Sequence, residues 1–358
     1  MTILIFLIVI ALLVFVHELG HFIMAKRAGM RVDEFGLGFP PRIFGFKKGE
    51  TLYSINLLPF GGFVRIFGED GQEANQPRSF GSKSAGDRIK VIVAGVIMNI
   101  LFAALLLGVG NTLGSRVAVN EDNIDQAREV AVQIAGIAPG SPADTAGLRV
   151  LDTVIGFKNG EEIIPTQEID EIQKYIGNNL DRPIILIVQR GTELSGIEII
   201  PRSEHPEEEG ALGIALIPTG VISYPWYQSI YKGIEQAGIL TAATVQGYAS
   251  IIANIFQSGS PGVTVSGPIG IAIFTGQAAR VGFSYLLQFT ALISVNLAVL
   301  NIIPFPALDG GRLLFIIIEK IRRRAIPQKV EGLVNAAGFS LLLLLMVYIT
   351  VKDVLHFL

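Results

Sequence analysis

The sequence predicts a polytopic α-helical membrane protein with four transmembrane helices, a small β-sheet after the first of them and one compact α+β insert. Three observations carry that reading. Half of the 358 residues are apolar and only 16% are charged, with a mean hydropathy of +0.53, whereas soluble domains carry about 25% charged residues. Four runs reach the roughly 20 mainly apolar residues that a bilayer core requires. Between the second and third runs lies a polar, acidic stretch rich in turns.

Composition also excludes several chemistries. A net charge of −3 and a pI near 5.9 lack the basic footprint of a nucleic-acid binder. The absence of cysteine rules out disulfides, iron–sulfur clusters and thiolate zinc sites. Any metal must therefore be held by His, Asp or Glu, and the histidines are His17, His21, His205 and His356.

The first span occupies residues 1–25. No basic residue precedes its apolar run and no small-residue cleavage site follows, so it reads as a retained helix rather than a secretory signal. Residues 26–88 form a β-rich loop, and 89–111 the second span. The third span, 283–311, ends at Pro304 and Pro306, which cannot continue a helix. The fourth, 330–356, is centred on the run Leu341 to Leu345. Residues 223–282 are read as an interfacial amphipathic helix followed by a loop. The apolar part, Ile239 to Phe256, carries Thr241, Thr244, Gln246, Tyr248, Ser250 and Asn254, a polar content that favours an interfacial helix over a lipid-exposed span.

Loop charges orient the spans. Residues 26–90 hold 11 Lys/Arg against 7 Asp/Glu and residues 310–330 hold 6 against 1, so both lie on the cytoplasmic side. Both termini and the acidic segment 111–222, with 8 against 18, then lie outside.

Within that segment, residues 126–205 form the insert. The runs "VAVQIAGI", "DTVIGFKNG" and "PIILIVQRG" are β-branched and bounded by Gly turns. "QEIDEIQKYIGNN" places Ile169, Ile172 and Ile176 at helical spacing before a Gly-Asn stop. "PGSPADTAGLRVLDTVIGFKNGEEI" resembles the core of a bacterial PDZ domain through Ser141, Pro142, Ala143, Ala146, Gly147, Leu148, Asp152 and the Asn159–Gly160 turn. The usual Pro-Gly before the aspartate is Val150-Leu151 here. Two roles stand open for this extracytoplasmic PDZ domain: a peptide groove formed by strand addition, or a plug that restricts access by size.

The chemistry centres on "HELGH" at His17 to His21. Side chains four apart share a helix face, so both imidazoles can bind one metal, and Glu18 can take a proton from water at that metal. Ionisable groups inside an apolar span cost a few kcal/mol each and mark function. Catalytic zinc takes three protein ligands. His205 and His356 lie in outside or terminal positions, so the third ligand should be a carboxylate. The first and third spans both run from outside to inside, which brings the end of the third, "NLAVLNIIPFPALDGGR", to the histidines' half of the bilayer; Asp309 is its one acidic residue.

Together, "HELGH" in the first span, "NIIPFPALDGG" at the end of a later one and a PDZ insert between them resemble the site-2 protease family, in its bacterial RseP-type branch of intramembrane zinc metalloproteases. The likeness extends over nearly the whole chain. It implies Zn²⁺ held by His17, His21 and Asp309, with Glu18 as general base. It also implies that Asn301 and Asn296 contact the substrate main chain or the developing oxyanion. "GLGFPPRIFGFKKGETLYSINLLPFGGFVRIFGED" alternates β-rich runs and glycines, two to four short strands; the family places a membrane-associated sheet there whose edge can pair with an unwound substrate. "SGPIGIA", residues 266–272, is similar to the family's Gly-Pro-Ile loop. "AGVIMN" departs from the family's Ala-Gly-Pro, with Val96 for proline.

The expected function is zinc-dependent hydrolysis of peptide bonds within or near transmembrane segments of other proteins in the lipid bilayer of a bacterial inner membrane. Family resemblance implies anti-sigma factors or signal-peptide remnants as substrates, after a first cut by a site-1 type protease. The competing reading is a catalytically silent PDZ membrane scaffold. A transporter with an intramembrane charge relay is disfavoured, because no inverted repeat of broken helices is visible.

Overall fold

The computed structural model describes every residue except 70–72, 74–75, 121–122, 161, 207–208, 260–266, 325 and 358. Asp70, Glu161 and Ser266, which belong to the motif segments above, lie outside the described residues. The elements run α1 (Thr2–Arg27), β1 (Val32–Lys48), β2 (Thr51–Ile66), α2 (Ala85–Leu113), β3 (Ser115–Ala118), β4 (Arg128–Ile137), α3 (Pro142–Thr145), β5 (Thr153–Asn159) and β6 (Glu162–Pro165). Then come α4 (Ile169–Gly177), β7 (Ile184–Arg190), β8 (Glu193–Ile199), β9 (Ile214–Ile222), α5 (Trp226–Ser258), α6 (Pro268–Val281), α7 (Phe283–Ile302), α8 (Asp309–Arg322) and α9 (Gln328–Phe357). Two compact units divide them: residues 1–109, 230–276 and 287–358 form one, and 110–229 with 277–286 the other.

In the first unit, α1 buries Val9, Leu13, Val16, His17, Gly20 and His21, a single face at helical spacing, while Ile3, Leu4, Ile8 and Leu12 on the other face stay exposed. Helix α7 likewise buries Leu287, Thr290, Ala291, Ser294, Val295, Ala298 and Val299. Ala103 of α2 joins Ala291, Val295 and Val299 in one cluster. Small residues let these helices approach closely: a Cβ on Gly20 would collide with the Ala94 carbonyl oxygen. Leu341, Leu344, Val347 and Tyr348 of α9 remain exposed, as lipid-facing side chains would.

Among the described residues five helices are long and apolar enough to cross a membrane: α1, α2, α5, α7 and α9. Four of them overlap the segments expected to span, of which the third, α7, stops at Ile302 rather than at residue 311. The fifth, α5, also meets the length requirement, but it is the least apolar of the five.

Strands β1 and β2 form one bent hairpin that folds back on itself. Glu34 to Leu37 pair on one side with Leu52 to Ile55 and on the other with Gly62 to Arg65, while Phe44 to Lys48 pair with the outer side of Thr51 to Ile55. The two strands thus make four short segments. Gly62–Ile66 forms one edge.

The second unit is a seven-stranded antiparallel sheet ordered β3-β9-β4-β5-β7-β8, with β6 on β5. Its core joins Val132, Ile134, Phe157, Leu186 and Val188 to Ile172 and Ile176 of α4, and Phe157 stacks on Tyr175 at 3.9 Å. Ser141 caps α3 by accepting from the Asp144 N–H. Arg190 donates to Asp152 at 2.6 Å, and that carboxylate holds the guanidinium's pKa above its ordinary value. The sheet reaches beyond residues 126–205, because β9 pairs with both β3 and β4. Pro218 within β9 disguises that strand in the sequence.

Candidate metal centre

Helix α1 needs no sequence compromise until its last third, where His17, Glu18 and His21 interrupt the apolar run. The two histidines are buried, 6% and 9% exposed, and their rings meet edge to face. His17 Nε2 and His21 Nε2 lie 3.1 Å apart.

Asp309 arrives from the far end of the chain. Pro304 and Pro306 stop α7, and a tight turn follows, in which Phe305 N–H donates to the Ile303 carbonyl and Leu308 N–H to that of Phe305. Ala307 takes a φ of +75°, and its N–H donates to Asn335 Oδ1 of α9 at 3.1 Å. Asp309 then opens α8. Gly310 is required by close approach: a Cβ there would collide with the carbonyl oxygens of Ile302 and Ile303. The turn presents Asp309 Oδ2 at 3.0 Å from His17 Nε2 and 3.3 Å from His21 Nε2.

These three atoms form a triangle with edges of 3.0, 3.1 and 3.3 Å. Bonds of about 2.0–2.2 Å to a tetrahedral zinc place neighbouring ligand atoms about 3.3 Å apart, so the donor set fits that ion. Two imidazoles and one carboxylate also leave the fourth position for water or substrate. His21 Nδ1 donates to the Val91 carbonyl at 2.9 Å, which leaves its Nε2 lone pair toward the triangle.

Glu18 lies beside the edge strand. A Cβ on Gly62 of β2 would touch Glu18 Cγ at 3.4 Å. The Asn301 side-chain amide reaches His17 Nε2 at 3.3 Å and so borders the metal position. Asn296 is not brought to the cluster. Its Oδ1 accepts from Tyr248 of α5 at 3.0 Å, and its Nδ2 donates to the Leu292 carbonyl.

Three supporting residues escaped the sequence reading. Asn99 of α2 puts its side-chain amide 3.4 Å from His17 Nδ1. Gly95 leaves room for both rings, since a Cβ there would sit 2.5 Å from His21 Nε2. Arg312, one turn after Asp309, pairs with Glu69 at a cavity of about 410 Å³ that Arg88, Glu319 and Asn335 also line. A polar residue in an apolar helix, as in "AGVIMN", was the signal available for Asn99.

The chain matches the description "Peptidase family M50" over residues 5–345. It is 31% identical over 437 aligned residues to the zinc metalloprotease RasP of Oceanobacillus iheyensis, covering 99% of this chain and 98% of that one. It is 30% identical over 437 residues to the regulator of sigma-W protease RasP of Bacillus subtilis, with the same coverage. A Clostridium perfringens protein provisionally named a zinc metalloprotease is 35% identical over 345 residues, 96% of this chain and 95% of that one.

Proposed function

The chain belongs to peptidase family M50, the site-2 protease family, and is a zinc metalloprotease; from that premise we propose that it cleaves peptide bonds within or near transmembrane segments of other membrane proteins. The silent-scaffold and charge-relay alternatives give way to that membership. One observation carries the proposal: His17, His21 and Asp309 offer ligand atoms within 3.3 Å of one another, with both histidines set in an apolar stretch of α1.

His17, His21 and Asp309 are the proposed zinc ligands. Zinc held there supplies a Lewis acid and makes water a competent nucleophile at neutral pH. Glu18 accepts the proton of the attacking water and returns it to the leaving amine. Asn301, at the rim of the triangle, donates to the substrate carbonyl as negative charge develops. For Asn296 the interhelical role is better supported, since Tyr248 and the Leu292 carbonyl engage both its polar atoms.

A transmembrane helix shields its own peptide bonds and must be locally extended before hydrolysis. The Gly62–Ile66 edge beside Glu18 supports a role in holding that extended segment by strand addition. Phe39, Ile43, Phe44, Leu57 and Leu58 of the same hairpin are exposed, which favours its lying against lipid.

The proposed topology has four crossings, with α5 oblique at the interface. Gly233 of α5 packs on Ala104 and Gly108, in the last third of α2. The chain is at that same end of the helices again by Gly267 and Gly276, which approach Asp353 of α9 and Thr2 of α1. A net crossing between Gly233 and Gly267 would put them at opposite ends. The basic segments 26–90 and 310–330 then face the cytoplasm, and the 410 Å³ cavity lined by Arg312 and Asn335, which flank the turn that presents Asp309, supports water entry from that side. The termini and the insert, which we read as a PDZ domain from its Ser141-to-Gly160 motif, are extracytoplasmic.

A bacterial inner membrane fits the bacterial relatives. The regulatory word in the Bacillus subtilis relative's name favours anti-sigma factors as a substrate class, with signal-peptide remnants as a second and a site-1 type protease acting first. The test is cleavage of a reporter transmembrane substrate by Glu18→Gln. The variant should retain zinc and lose cleavage by roughly 10²–10⁴-fold; cleavage at the normal rate would remove Glu18 from the reaction.

A further inference from the structure

Helix α2 meets the two histidines with residues spaced one turn apart. Val91, Gly95 and Asn99 fall at i, i+4 and i+8, on one helix face. Each does something different. The Val91 carbonyl accepts from His21 Nδ1 at 2.9 Å. Gly95 supplies the space into which both rings project. Asn99 is fully buried and stands at His17 Nδ1.

The ring chemistry makes the Asn99 contact informative. A histidine that gives Nε2 to a metal carries its hydrogen on Nδ1, and that N–H needs an acceptor. For His21 the acceptor is the Val91 carbonyl. For His17 the neighbour of Nδ1 is the Asn99 amide, at 3.4 Å. The Asn99 side-chain oxygen is buried without a hydrogen-bond partner among the described residues. Oxygen and nitrogen of an amide are exchanged by a half-turn about the Cβ–Cγ–amide axis, and the surrounding network decides between them. One half-turn satisfies the buried oxygen and the His17 N–H together. The backbone of Asn99 is fixed meanwhile, because Ser294 Oγ of α7 donates to its carbonyl at 2.8 Å.

We infer that Asn99 is a positioning residue that accepts the His17 Nδ1–H through its side-chain oxygen and so holds His17 with Nε2 directed at the metal. This rests on the reading of His17, His21 and Asp309 as the zinc site. In this role α2 is the outer support of the centre, with Val91 serving one histidine and Asn99 the other.

The experiment is zinc affinity of the full chain in detergent, measured by competition with a chromophoric chelator, for wild type, Asn99→Leu, Asn99→Asp and His17→Ala. Asn99→Leu, similar in size but lacking an acceptor, should bind zinc about 10–100-fold more weakly, and Asn99→Asp, which keeps one, should stay within about threefold of wild type. Wild-type affinity in Asn99→Leu overturns the inference. So does equal weakening in both Asn99 variants, because a merely structural defect would not be rescued by an acceptor. Retention of zinc by His17→Ala overturns the underlying metal site instead, and the Asn99 inference with it.

Discussion

His17 Nε2 and Asp309 Oδ2 stand 3.0 Å apart although 292 residues separate them in sequence. With His17 buried and the Asp309 side chain only 16% exposed, a carboxylate facing an imidazole nitrogen at this distance needs a compensating positive charge. A shared divalent cation supplies one. Asp309→Ala removes one of the three proposed ligands, and zinc affinity should fall by more than the ~100-fold ceiling typical of losing an outer support. Chelator competition on the purified protein measures it.

Gly95→Ala tests the packing of the centre. The added methyl would sit 2.5 Å from His21 Nε2 and 2.8 Å from His17 Cε1. Neither ring can retreat without leaving the triangle. The variant should fold with a penalty of about 1–3 kcal/mol, the usual effect of overpacking, and bind substoichiometric zinc. Metal analysis alongside a thermal melt separates the two effects.

Glu50, in the turn between β1 and β2, sets an acid limit on the hairpin. Arg78, at 2.6 Å, and Lys26, at 2.7 Å, hold its carboxyl down at about 2 from the usual 4.5. A depressed folded-state value means that the stabilisation is complete above pH 4.5 and is lost as pH falls toward 2. Glu50→Gln should therefore lose less stability than wild type across that window. The difference should shrink in high salt, because the group is partly solvent-exposed. Acid titration of melting temperature reads both.

Asp353 near the end of α9 accepts from the N–H groups of Gly267 and Gly270, at 2.9 and 3.0 Å, and so caps the start of α6. It is buried, and hydrogen bonds to a charged acceptor are worth about 1.5–3 kcal/mol each. Asp353→Ala should release the first turn of α6. Amide exchange should accelerate at 267–271 and remain unchanged in α7.

Much of the centre was legible because its signals are local. "HELGH" puts two candidate ligands on one helix face by spacing alone, and "LDGG" marks the close turn that presents Asp309. What supports those ligands was not legible. Gly95 and Asn99 look like ordinary positions in an apolar helix until α1 is laid against α2, and Asn335 acts on Ala307 from another helix. The separate helix α8 was hidden by reading Asp309 as the end of a span. Strand β9 was hidden by Pro218, and the doubled pairing of β1 and β2 by irregular registers that no alternation pattern encodes.

The most direct measurement is an anomalous difference map at the zinc absorption edge from crystals of the full chain. It should show one zinc within bonding distance of His17 Nε2, His21 Nε2 and Asp309 Oδ2. A zinc bound elsewhere, or one held by the histidines with the Asp309 carboxylate turned away, would contradict it.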